Sequence, residues 1–374
     1  MGYVLISFLS WLILRFLVLR RLPCGRPART ILSCLFFLPI LYYAYLQASC
    51  FIVLPEPSFG TAILMGAWCG TVLIAAPPAS AGVLCLMRFG RKKPMRRVGA
   101  GACLIFSLFF SSVLVLCGLR EGLSVPSVQE VSVNLPAGCD ALDGIRMAVI
   151  SDLHLGCATP PGWLEETLRR IKEARADIIL LDGDLSDGRP EDRRSDLARL
   201  GTLEAPLGVW AVPGNHEYYV DYAGIMAALP DSVHVLANSH AKLRTSRGTF
   251  VLAGVTDRKA RARGLPGPDI EKALSGLSGD GAIGPVLLMS HRPAGWSRNA
   301  ARGVVLQICG HTHGGQFIWN RLFLRLIGRR YLHGLFERNS SLLWGGSGAS
   351  QWFGFPLRVG VPPEIAVLNL HAGS

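Results

Sequence analysis

Acidic side chains are scarce in the first third of this chain. Residues 1–126 hold only Glu56 and Glu121, against twelve Lys and Arg, whereas the rest carries 26 basic and 24 acidic residues. The formal charge of +12 therefore does not describe a basic globular domain. The cations sit in short segments between apolar runs, which argues for membrane orientation signals and against nucleic-acid binding. Cysteines are also few after residue 126: Cys139, Cys157 and Cys309 have no CxxC spacing and cannot form a disulfide framework. They are expected to be small packing residues. No basic region precedes the first apolar run, so a cleaved signal peptide is not expected. Cys24 is separated from that run by Arg20 and Arg21 and reads as ordinary, not lipidated. Internal repeats and long low-complexity tracts are missing as well.

What is present is hydrophobic length. Four apolar runs, Tyr3–Leu19, Ile31–Leu54, Thr61–Met87 and Val98–Leu119, approach or exceed the ~20 residues that cross a bilayer. Arg15 lies near enough to the end of the first to snorkel. Pro77 and Pro78 predict a kink or a shortening of the third. The four runs hold hardly any ionisable residue, so they do not line a transport pathway. Basic residues cluster at Arg20–Arg29 and Arg88–Arg97, while Pro55–Gly60 has none. The positive-inside rule places those two loops in the cytoplasm. The expectation is a multi-pass protein of the plasma (inner) membrane, its carboxy-terminal domain on the extracytoplasmic side.

Residues 1–126 are thus read as a membrane anchor and 127–374 as a soluble domain, joined by a linker at Glu121–Pro126. The soluble part reads as α/β. Strands are predicted at Glu130–Leu135, Arg146–Ile150, Ile178–Leu181, Gly208–Val212, Thr249–Val255, Pro285–Met289, Val304–Ile308, Ser341–Trp344 and Ile365–Leu370. Helices are predicted at Gly162–Ala174 and Glu191–Gly201. Five chemistry-bearing segments begin where a predicted strand ends: after Ile150, Leu181, Val212, Met289 and Ile308. Loops at the carboxyl ends of strands converge on one edge of an α/β sheet, so residues distant in sequence can meet there.

The first segment, Asp152-Leu-His154, spaces two ligand types one residue apart on a bend leaving a strand. Carboxylate with imidazole suits Mn, Fe or Zn better than Ca. Asp184 follows the second strand, and its two oxygens can bridge two cations. Asp182 and Asp187 are read as turn carboxylates bonding local amides. Asn215 and His216 are adjacent and so point opposite ways: Asn215 toward a metal, His216 toward the substrate as an acid. His291 follows a fourth strand. His311-Thr-His313 repeats the one-residue spacing, with glycines at 310, 314 and 315 permitting close backbone approach.

These residues resemble the calcineurin-like metallophosphoesterase superfamily, whose ordered pattern is DxH, GDxxD, GNH(D/E), H and GHxH. The chain carries it across roughly residues 129–370. GHTHGGQ (310–316) with RVGVPPEI (358–365) resembles the membrane-associated subgroup: transmembrane-domain phosphoesterases, YkuE-like proteins and lipid A-pathway UDP-diacylglucosamine hydrolases. The resemblance implies a two-sheet sandwich flanked by helices, in four α-β-β-α layers. It also implies two divalent ions (Mn, Fe or Zn), one on Asp152, His154 and His313 and one on Asn215, His291 and His311, bridged by Asp184. His216 would serve a leaving oxygen as the catalytic acid, and the chemistry would be hydrolysis of a phosphoester or pyrophosphate bond.

His234, His240, His333 and His371 match no motif. Arg258 and Arg292 could contact phosphate but are left unassigned. After the last motif, Phe317, Trp319, Leu322, Phe323, Leu324, Leu326 and Ile327 alternate with Arg321, Arg325, Arg329 and Arg330. The segment reads equally as membrane-lying, admitting lipid tails, or as a half-buried helix. A phosphate-bearing lipid is the expected substrate. The alternatives are a tethered hydrolase of soluble nucleotides and an inactive membrane receptor or scaffold.

Overall fold

A computed structural model describes residues 2–48, 56–89, 93–277, 284–338, 340–352 and 355–373. The chain divides into two units, Met1–Glu121 with Phe355–Leu357, and Gly122–Gly354 with Arg358–Ser374.

The first unit is helical: α1 (Gly2–Ile13), α2 (Arg26–Ala48), α3 (Phe59–Phe89) and α4 (Lys93–Gly122). Among the described residues, three segments are long and apolar enough to cross a membrane: Arg26–Leu46, Phe59–Phe89 and Met95–Gly122. Side chains such as Leu64, Ile105, Phe106 and Phe109 are exposed, an arrangement that suits helices facing hydrocarbon on all sides. The first expected span differs from the other three. The 12 residues of α1 rise about 18 Å, short of the roughly 30 Å of a bilayer core. A π-helical turn at Leu14–Val18 and a 3-10 turn at Leu19–Arg21 follow it. Arg15 donates from Nη1 to Ser33 Oγ at 3.0 Å. Pro77 and Pro78 do not shorten the third span, because α3 continues through both. A helix at membrane depth tolerates proline where neighbouring groups satisfy the freed carbonyls.

The second unit contains β1 (Ser127–Ala137), β2 (Arg146–Ile150), β3 (Ile178–Asp182), β4 (Val209–Val212), β5 (Val233–Val235) and β6 (Ser239–Thr245). These are followed by β7 (Gly248–Gly254), β8 (Val286–Met289), β9 (Val304–Cys309), β10 (Gly334–Arg338), β11 (Ser341–Gly345) and β12 (Glu364–Gly373). They form two six-stranded sheets, ordered β1-β12-β2-β3-β4-β5 and β10-β11-β9-β8-β7-β6. β2 to β5 run parallel, as do β7, β8 and β9. The strands β5, β6 and β10, which the sequence does not predict, are all outermost in their sheets.

Period-two alternation sorts the apolar residues into layers. Met147 and Val149 of β2 join Leu252, Leu287 and Ile308 of the other sheet in the central core. Ala148 and Ile150 instead join Leu164, Leu168 and Ile171 of the helix Trp163–Glu173, whose i, i+4, i+7 spacing gives one apolar face. On the far side, Val251, Leu288 and Val304 cover Ala273 and Leu277. The order of layers is therefore α-β-β-α. The expected linker is held in place: Trp163 Nε1 donates to Ser124 O at 3.0 Å, and Arg170 Nη1 donates to Pro126 O at 3.1 Å.

Candidate metal centre

Each of the five segments leaves the carboxyl end of a parallel strand. Asp152 follows β2, Asp184 follows β3 and Asn215 follows β4, three neighbours in one sheet; His291 follows β8 and His311 follows β9, neighbours in the other. Among the described residues three donor groups result: Asp152, His154 and His313; His154, Asp184 and His216; and Asp184, His291 and His311. Within each group the candidate ligand atoms lie within 4.8 Å of one another. The first and third correspond to the two ligand sets that the resemblance implies, with Asp184 in the position to join them.

The imidazoles are oriented from behind. His291 Nδ1 bonds Asp182 O at 2.7 Å, His313 Nδ1 faces Ser350 O at 3.3 Å, and His154 Nδ1 lies 3.2 Å from an Asp187 oxygen. For His291 and His154, an acceptor on Nδ1–H directs the Nε2 lone pair inward, the usual support for a metal-binding histidine; His313 Nδ1 also meets Arg358 Nη2 at 3.3 Å. His154 Nε2 and His313 Nε2 meet at 3.2 Å, with Asp152 Oδ1 3.3 Å from the latter. Asp184 Oδ2 is 3.1 Å from His291 Nε2 and 3.8 Å from His154 Nε2. Converging lone pairs and carboxylates are what a pair of divalent cations would satisfy, and the mixed N/O donors fit Mn, Fe or Zn. Burial disfavours charge on His154, but the Asp187 carboxylate, then Asp184 and Asp152, outweigh it and raise the pKa to about 9. Burial pushes that of His313 down.

The second ligand set has an unforeseen occupant. Arg292 Nη2 donates to Asn215 Oδ1 at 2.7 Å and Nη1 contacts His311 Nε2, while Nε pairs with buried Asp257. The guanidinium thus engages two expected ligands at once. Burial, His291 and Arg292 all depress the His311 pKa. The His311 backbone N–H points at Asp152 Oδ1 and Oδ2, 3.2 and 3.1 Å away.

His216 lies among the candidate ligands instead of apart from them. Its Nδ1 bonds Asp187, its backbone N–H donates to Asp184 Oδ1 at 2.8 Å, and its Nε2 is 3.9 Å from Asp184 Oδ2. The turn-carboxylate reading of Asp187 and Asp182 is corrected. Asp187 joins the Nδ1 atoms of His154 and His216. Asp182 ends β3 with both oxygens buried and outside any hydrogen bond of good geometry, and burial raises its pKa well above the carboxylate range. Glu217, also missed, accepts from the backbone N–H of Gly214 and Leu185, each at 2.7 Å, and of Asp184 at 3.1 Å. It ties the second loop to the third. Its sequence signal is the last position of the GNH(D/E) pattern, to which the reading gave no role.

Five of the ligand candidates have left-handed backbone: Asp152 (φ 57°), His154 (42°), Asp184 (52°), His311 (65°) and His313 (47°). Gly183 (φ 79°) allows the loops to meet, since a Cβ there would lie 2.6 Å from Gly214 N and 2.8 Å from His291 Nδ1. Outside the cluster, His240 Nδ1 bonds Ala273 O at 2.7 Å and His333 pairs with Glu364 at 2.9 Å. Arg258 and His371 are exposed. No disulfide joins the described cysteines; Cys139 and Cys309 are buried and Cys157 half-buried.

Residues 145–315 match the family described as Calcineurin-like phosphoesterase. An uncharacterized metallophosphoesterase of Helicobacter pylori is 34% identical over 257 residues, covering 68% of this chain and 66% of the relative. One from Aquifex aeolicus is 30% identical over 246 residues, covering 63% and 87%. A Danio rerio transmembrane protein with metallophosphoesterase domain is 29% identical over 275 residues, covering 71% and 62%. The chain thus spans less than two thirds of the length of the zebrafish relative.

Proposed function

This chain belongs to the calcineurin-like phosphoesterase family, and on that premise we propose that it is an integral-membrane hydrolase of phosphoester or pyrophosphate bonds in a lipid-linked substrate. The observation that carries the reading is that two donor groups, Asp152/His154/His313 and Asp184/His291/His311, form after the carboxyl ends of parallel strands, with Asp184 Oδ2 of the second 3.8 Å from His154 Nε2 of the first. When bound, a cation pair supplies Lewis acidity toward phosphoryl oxygens and lowers the pKa of water. Asp152, His154 and His313 would hold one ion; Asn215, His291 and His311 the other; Asp184 both. Asp187 fixes the His216 Nδ1 proton, leaving Nε2 to hand a proton to the leaving oxygen. Arg292, once released by Asn215 and His311, keeps Asp257 as its partner and offers its other nitrogens to a phosphoryl oxygen.

The membrane reading draws on the basic clusters. Arg20–Arg29 lies at the start of the Arg26–Leu46 segment and Arg88–Arg97 joins the next two. With both loops cytoplasmic, the domain after α4 emerges outside. That outcome depends only on the three long segments and not on the shorter first run.

The test is made on the full chain in detergent micelles. Bound Mn, Fe or Zn is counted, and turnover of a lipid pyrophosphate is compared with that of soluble phosphodiesters in one preparation. Asp184→Asn is expected to lose both metal and turnover. Wild-type turnover in that variant, or a purified protein that takes up none of these metals, overturns the reading. Preference for the soluble esters overturns its lipid part alone.

A further inference from the structure

The helix Ile318–Leu326 begins five residues after His313, and none of its side chains is buried. Ile318, Trp319, Leu322, Phe323 and Leu326 recur at intervals of one and four positions. They are exposed by 43, 42, 55, 57 and 86%. Single exposed apolar residues are ordinary, but five on one helical face mark an interaction surface. Asn320, Arg321 and Leu324 are half-buried, so the helix rests on the domain by one side and leaves its apolar face open.

The opposite edge of the helix is occupied. Arg321 Nε donates to Gly314 O at 2.7 Å and Asn320 Nδ2 donates to Gly315 O at 2.8 Å. The Ile318 N–H bonds Val359 O at 2.9 Å. The helix is therefore fastened by polar bonds to the loop that carries His311 and His313, with its apolar face directed away. Arg325, Arg329 and Arg330 are exposed beside that face, and no acidic residue occurs from Gly310 to Phe336.

We infer that the Ile318–Leu326 helix lies in the interface of an anionic bilayer, with its apolar face among the acyl chains and its arginines at the lipid phosphates. Amphipathic helices with a cationic border and Trp, Phe and Leu on the other face bind membranes in this way. The occupant is a bilayer and not a second copy, because the flanking charge is all of one sign and a second copy would oppose arginine to arginine. The bilayer is at hand, since the same chain carries three segments able to cross it. Phosphates of lipids drawn to this helix would lie next to the metal loop. The inference thus deepens the proposed lipid specificity, though the docking itself requires no turnover.

The experiment uses the full chain reconstituted into phosphatidylglycerol vesicles with brominated acyl chains. Subtracting the fluorescence of Trp319→Phe from that of the parent isolates Trp319. Strong quenching of this difference signal by brominated chains, weakened when phosphatidylcholine replaces phosphatidylglycerol, is expected. A difference signal that brominated chains leave unchanged overturns the inference. If Trp319 is then also shielded from aqueous iodide, another protein surface covers the face. Quenching without lipid hydrolysis would reject the substrate assignment while preserving the docking, and hydrolysis without quenching the reverse.

Discussion

Asp187→Asn exposes two opposing effects that differ in their dependence on pH. In the cation-free protein the Asp187 carboxylate holds the His154 pKa at about 9. A raised pKa means that the protonated form contributes stability below the unperturbed value, and that this contribution fades as pH climbs toward 9. Metal binding at pH 7.5 must expel the proton, at a cost of about 2 kcal/mol given 1.36 kcal/mol per pH unit. The amide removes the largest raising charge while Asp184 and Asp152 remain, so the cost shrinks. The same substitution weakens the support of both His154 and His216, and losing such a partner costs roughly 10–100-fold in affinity, or about 1.4–2.7 kcal/mol. At pH 7.5 the two oppose each other, so affinity falls by less than it does at high pH. At pH 9.5 only the loss remains, and affinity falls about 10–100-fold. Titration calorimetry with Mn²⁺ in buffers of different ionisation enthalpy measures both affinity and proton release. The parent is expected to release more protons at pH 7.5 than the variant does. An equal loss of affinity at both pH values refutes the reasoning.

Three further outcomes follow from the geometry. His216→Ala is expected to keep its metal while turnover drops about 10²–10⁴-fold; a lost ion, counted by elemental analysis, would make His216 a ligand instead. Gly183→Ala brings Cβ within 2.6 Å of Gly214 N at a positive φ, so roughly 2–6 kcal/mol of strain and overpacking is expected as a lower Tm with reduced metal content. An unchanged Tm and metal count would contradict that packing. A fluorescent reporter that matures only in the cytoplasm, fused after Ser374, is expected to stay dark, and bright fluorescence would reverse the orientation.

The fold was legible where burial is two-sided. β2, β3, β8 and β9 are short, wholly or almost wholly buried apolar runs, and a run apolar on both faces stands out against any background. β6, SHAKLRT, is half in water, and β5 has only three residues. Edge strands bury less, so hydrophobicity marks them less clearly. The metal candidates were legible because strand-end Asp and His arrive in a known order. Asp187, Glu217 and Arg292 were not, because their roles depend on which loops touch. Glu217 bonds amides 32 and 33 residues upstream, a pairing that no local pattern contains. The Ile318–Leu326 segment could be read two ways, since its amphipathic sequence does not say which face is covered.

The left-handed turns under Asp152, His154, Asp184, His311 and His313 also limit what can replace these residues. Aspartate, asparagine and histidine visit that backbone region more readily than other residues with a Cβ, whereas valine or isoleucine strains against it. Exchanging Asp, Asn and His for one another at these five places is expected to leave the chain path intact. A branched aliphatic substitution would lose the donor and distort the loop in the same step.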